Sequence, residues 1–89
     1  MAALFSQIQR ASLSIQPNIA EGYTYGDSPT FTKHLGIAYG SAVETGELLR
    51  LAIDTELLEK EPLQALLERT RETERILLGM LKRRRKFKT

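Results

Sequence analysis

The densest group of chemically active side chains in this sequence is a run of cations in residues 82–88. Six of the thirteen basic residues lie in this segment, and 82–89 contains no acidic residue. They are Lys82, Arg83, Arg84, Arg85, Lys86 and Lys88. The rest of the chain carries seven basic and eleven acidic residues. Such asymmetry is typical of a segment that binds nucleic acid or another polyanion. A solvated helix end, whose cations favour the negative pole of the helix, is the structural alternative.

Other side chains could also contact a nucleic acid. Four arginines could enlarge the basic surface: Arg10, Arg69, Arg71 and Arg75. Three tyrosines could stack on bases, although tyrosines in loops more often pack over the end of a bundle: Tyr23, Tyr25 and Tyr39.

Residues that could support catalysis are sparse. His34 is the only histidine, and the positions four residues away hold Thr30 and Ala38, neither of which is a base or a metal ligand. Glu44 and Glu47 lack the Glu-x-x-His spacing of metal sites in bundles. The sequence therefore predicts a protein that is not an enzyme and has no metal or cofactor.

Composition and length favour a single small domain. The chain has 89 residues, 42% hydrophobic and 27% charged, and no cysteine. No apolar run approaches the roughly 18 residues of a membrane span. The N-terminus also lacks the pattern of a signal peptide. We therefore expect a cytoplasmic protein without membrane contact.

Hydrophobic spacing predicts three helices, at about 3–21, 28–54 and 62–86, and an all-α antiparallel bundle. Pro17 predicts a kink or break near Ile15–Gln16, and Gly22 is expected to end the first helix. The central helix carries its core stripe at positions spaced by three or four: Phe31, Leu35, Ala38, Ala42, Thr45, Leu49 and Ala52/Ile53. In the third helix, the spacing predicts a buried side made of eight residues: Leu63, Leu66, Leu67, Thr70, Glu74, Leu77, Leu78 and Leu81.

A second apolar side of the central helix predicts an oligomer or partner interface. This side contains Ile37, Leu48 and Leu51, close to Glu44. Gly36, Gly40 and Gly46 indicate that another backbone approaches the helix closely, because glycine inside a helix is otherwise unfavourable. A ligand site beside these small residues is the alternative. We assign Ile37, Gly40, Leu48 and Leu51 to this interface.

Two segments resemble a known family. Arg10–Gly22 contains Asn-Ile-Ala-Glu-Gly at 18–22, and Phe31–Glu44 carries a spaced Phe, Leu, Ile-Ala, Gly-Ser and Glu. Together they resemble the four-helix-bundle proteins encoded in 23S rRNA intervening sequences, which are similar to accessory variability determinant proteins of diversity-generating retroelements. The motif residues, for which we expect structural roles, are Asn18, Glu21, Gly22, Ser41 and Glu44.

The resemblance implies an antiparallel four-helix bundle that assembles as a homopentamer. Only residues 1–6 precede the matching region, so the family's first helix is expected to be absent and three helices to remain. Either the chain starts late, or a neighbouring subunit covers the apolar stripe that the missing helix would leave exposed. In the retroelement branch the assembly binds RNA and a reverse transcriptase, whereas no activity is established for the intervening-sequence branch. We therefore expect an accessory protein that binds RNA or an RNA/DNA complex. The alternative is a protein-interaction or structural bundle without a nucleic-acid role.

Overall fold

The computed structural model describes the backbone of residues 2–23, 29–56 and 59–88 and the side chains of 3–20, 29–56 and 59–83. It contains four helical segments: α1 (Ala2–Leu13), α2 (Ile15–Tyr23), α3 (Pro29–Thr55) and α4 (Lys60–Lys88). No strand occurs in these parts of the chain, and the prediction of an all-α fold is confirmed. Residues 24–28, which include Tyr25, lie outside the described residues.

The predicted first helix is divided at Ser14, one residue before the expected position. Pro17 has no N–H to donate to the carbonyl of Leu13, and its ring crowds that carbonyl. Just before this carbonyl's partner is lost, the Ser14 amide donates to the Ala11 carbonyl, three residues earlier, at 3.3 Å. This bond closes α1 with a turn tighter than that of an α-helix. Beyond the break, α2 continues through Gly22 to Tyr23, so the prediction that Gly22 ends the helix is wrong.

Helix α3 is the central element, because it contacts each of the other three. At one end, Phe31, Leu35, Ala38 and Ala42 pack with Leu77 and Leu81 of α4, and α2 contributes Ile15 and Ile19. At the other end, Leu49 and Ala52 pack with Leu63 of α4, and α1 contributes Leu4 and Ile8. These pairings show that α4 runs antiparallel to α3.

The predicted core stripe of α3 is confirmed: Phe31, Leu35, Ala38, Ala42, Thr45, Leu49 and Ala52 are all buried, and Ile53 is half-buried. The prediction for α4 is wrong at Leu66, which is 49% exposed. Its neighbour Leu67, which was also predicted on the buried side, does pack against the core. A periodic pattern does not decide which of two adjacent leucines faces the core when the stripe lies between them.

Helix α3 ends at a residue in the left-handed conformation. Glu56 has a φ of 57°, and its amide donates to the Ile53 carbonyl at 3.2 Å. Glycine adopts this conformation without the steric cost that a Cβ adds. We expect Glu56→Gly to raise the free energy of unfolding by about 1 kcal/mol, measured by urea denaturation. Glu59→Gly, at another exposed position in the same connection, is the control, and equal effects of the two substitutions would contradict this explanation.

In the described chain, no helix is long and apolar enough to cross a membrane.

Candidate nucleic-acid interface

The antiparallel packing of α3 and α4 places the first cations of the basic run beside the N-terminal end of α3. Leu81 is buried in the same cluster as Phe31, and Lys82 and Arg83, which follow it, are exposed. The α4 backbone remains helical to Lys88. The last core residue of α4 is thus followed directly by the cationic segment, which spans about 9 Å at the rise of an α-helix.

Lys33 also belongs to this end of the molecule, and the sequence reasoning did not select it. It is exposed on α3 and lines one groove together with Lys82 of α4. The predicted antiparallel pairing could have identified Lys33, because it places the second turn of α3 opposite the last core turn of α4. We define the basic end as Lys33 together with residues 82–88.

The other predicted cations lie away from the basic end. Along α4, Arg75 is about 10 Å from Lys82, Arg71 about 16 Å and Arg69 about 20 Å, from the helical rise. Arg10 lines a shallow groove between α1 and α3 that also contains Glu44. The structure therefore distributes the predicted cations along the bundle, and Lys82 and Arg83 are the two whose described side chains lie at its end.

Arg71 already has partners within the chain. Its Nη1 lies 3.0 Å from Oε2 of Glu74, and its side chain is 35% exposed. The guanidinium also covers Gly46, where an added Cβ would lie 3.0 Å from Nη1. Arg71 thus contributes to the contact between α3 and α4, and its charge is partly offset by Glu74.

Two of the motif residues, Asn18 and Ser41, connect α3 with the segment around the break between α1 and α2. Asn18 Nδ2 donates to the Ser14 carbonyl at 2.6 Å, and Asn18 Oδ1 accepts from Nδ1 of His34 at 3.1 Å. The Ser14 hydroxyl donates to Oγ of Ser41. Asn18 therefore bonds the backbone at the break between α1 and α2. The side chain of Glu21 and the surroundings of Gly22 lie outside the described part of the chain.

The second apolar side of α3 is open to solvent. Ile37 and Leu51 are 41% and 51% exposed, Gly40 is exposed and Leu48 is half-buried. No neighbouring atom lies within 4 Å of a Cβ built on Gly36 or Gly40, and at Gly46 the neighbour is a side chain. Among the residues that the structure describes, the expected close approach of a second backbone to these glycines is not observed.

The side chains considered for catalysis and metal binding lie on α3. His34 is half-buried and bonds to Asn18, and Glu44 and Glu47 are both exposed. Among the residues with described side chains, no three His, Asp or Glu groups converge to hold a metal ion.

Comparison with known proteins identifies the family. A family model described as 23S rRNA-intervening sequence protein matches residues 1–79. No curated protein and no solved structure matches the chain. The matched region includes α1, α2, α3 and α4 as far as Gly79, and it stops before Leu81 and the cations of 82–88. Since the match covers most of the chain, this protein belongs to the 23S rRNA-intervening sequence protein family.

Proposed function

We propose that this protein is a non-enzymatic, cytoplasmic, homo-oligomeric accessory factor that binds RNA through its basic end. The observation that supports this proposal is the exposure of Lys82 and Arg83 beside Lys33, at the start of a helical segment that carries four more cations. Cations on an exposed helix attract phosphate groups without reading the base sequence. The proposed contact is therefore with the RNA backbone.

The charge of the rest of the molecule favours an orientation in which the basic end faces the RNA. Asp54, Glu56, Glu59 and Glu61 are exposed around the connection between α3 and α4, at the end of the bundle opposite the basic end. A molecule with opposite charge at its two ends orients itself in the field of a polyanion, with the basic end leading.

Assembly into an oligomer would multiply the number of cations that face one RNA. If the protein is a homopentamer, as its resemblance to the retroelement accessory proteins implies, five basic segments on one face would present about 30 cations to one RNA. A reverse transcriptase that acts on that RNA is the protein partner we propose.

Two matched triple variants test the proposal. Lys33→Gln/Lys82→Gln/Arg83→Gln removes three exposed cations from the basic end, and Arg50→Gln/Lys60→Gln/Arg69→Gln removes three exposed cations from elsewhere. Both lower the net charge equally. We expect the first variant to weaken binding of a labelled structured RNA about 10-fold or more at low salt, and the second to change it about 2-fold or less.

Equal weakening by the two variants would show that binding follows net charge and would contradict the basic-end assignment. Absence of RNA binding by the wild-type protein at low salt would reject the RNA function itself. The second candidate function, a protein-interaction module, is favoured by the exposed Ile37 and Leu51. Apolar docking responds little to salt, whereas phosphate binding weakens steeply as salt rises.

A further inference from the structure

A groove between α3 and α4 opens at the basic end. Its α3 wall consists of Thr32, Lys33, Gly36 and Tyr39, and its α4 wall consists of Leu78, Leu81 and Lys82. The groove encloses about 360 Å³, which falls in the size range of small-molecule pockets. It combines an aromatic ring and two leucines with one lysine on each wall.

We propose that this groove holds an unpaired nucleobase of the bound RNA, with Lys33 and Lys82 on the phosphates beside it. This inference rests on the proposed RNA function and adds that the RNA is recognised where it is single-stranded. An unpaired base is a flat, largely apolar group flanked by anions. The groove offers the complementary arrangement, because Tyr39 and the leucines provide the apolar surface and the lysines stand at its sides.

The position of the groove also favours RNA over other anionic ligands. Lys82 is both a wall of the groove and the first cation of the basic run. A strand that leaves the groove past Lys82 meets the helical segment that carries Arg83 and four further cations. Lys82 and Lys86 are separated by about one helical turn, so cations recur along the path of the strand.

Gly36 allows the groove to be filled without changing its charge. A Cβ at Gly36 meets nothing within 4 Å, and the same is true at Gly79. Gly36 lines the groove and Gly79 does not. Leucine is also a better helix former than glycine. Gly36→Leu therefore fills the groove in a folded protein, and Gly79→Leu is the matched control; thermal unfolding of both verifies the fold.

The experiment measures binding of a labelled oligoadenylate and of an abasic oligoribonucleotide of equal length to the full chain. We expect the wild-type protein to bind the oligoadenylate about 10-fold more tightly than the abasic strand, as base–aromatic stacking allows. Gly36→Leu is expected to remove this preference, while Gly79→Leu retains it. Binding of the abasic strand should be the same in all three proteins.

Equal binding of the two strands by the wild-type protein, or a preference that persists in Gly36→Leu, would overturn the groove proposal and leave the RNA function in place. Absence of binding to both strands at low salt would overturn both. An oligoglutamate peptide whose binding is lost in Gly36→Leu, with oligoadenylate binding unaffected by that substitution, would identify the groove as a protein-docking site and overturn the nucleobase assignment.

Discussion

Replacement of Leu77 by alanine is expected to lower the free energy of unfolding by about 3 kcal/mol. Leu77 is 2% exposed and lies in the cluster where Leu35, Ala38 and Ala42 of α3 meet α4. The facing residues Ala38 and Ala42 are fully buried and short, so they cannot extend into the space that the truncated side chain leaves. The cost therefore includes a cavity as well as the lost burial of apolar surface.

Leu66→Ala is the matched control for this prediction. Leu66 lies on the same helix but is 49% exposed, and the two substitutions change helix propensity equally. We expect Leu66→Ala to lower the free energy of unfolding by about 0.5 kcal/mol. Urea denaturation at one fixed protein concentration measures both values. A cost at Leu66 as large as that at Leu77 would show that Leu66 is buried in solution, as it would be against a second chain.

Introduction of glutamate at both Ile37 and Leu51 is expected to convert an oligomer into monomers. These side chains are 41% and 51% exposed on the same side of α3, and we propose that this apolar surface is where the subunits associate. Two carboxylates there would have to be desolvated for the subunits to associate, and that cost exceeds the gain from burying the remaining contact. Sedimentation velocity measures the change in mass directly.

Ile76→Glu/Leu66→Glu is the control for association, because it introduces the same charges at exposed positions on α4. We expect this variant to keep the wild-type mass. Dissociation by the α4 pair and retention of the oligomer by the α3 pair would place the interface on α4. A wild-type protein that remains monomeric at high concentration would reject the oligomer.

The helices were predictable because their hydrophobic stripes repeat at helical spacing over many turns. The stripe from Phe31 to Ala52 is buried as predicted, since a helix with this pattern has one energetically favourable orientation in a bundle. The break near Pro17 followed from the chemistry of proline, and its position at Ser14 depended on which carbonyl lost its partner. Gly22 was predicted wrongly because a glycine permits a helix end but does not enforce one.

The candidate site was predictable in part. The cations of 82–88 are evident from composition alone, whereas the groove beside them depends on how α3 and α4 pair. Lys33 lies far from the cationic run in the sequence, and its position in the groove beside Lys82 follows only when the antiparallel pairing of α3 and α4 is considered. Arg71 shows the reverse case, because its ion pair with Glu74 and its contact with Gly46 are tertiary features that its charge does not reveal.

The salt dependence of RNA binding by the full chain tests the central claim most directly. If the six cations of 82–88 contact phosphates of a single strand, the logarithm of the association constant should fall with the logarithm of salt concentration with a slope of about −4 for each protomer engaged. A slope near this value, measured by fluorescence anisotropy over a range of salt concentrations, is the result we predict. Binding that does not change with salt would contradict recognition of RNA through the basic end.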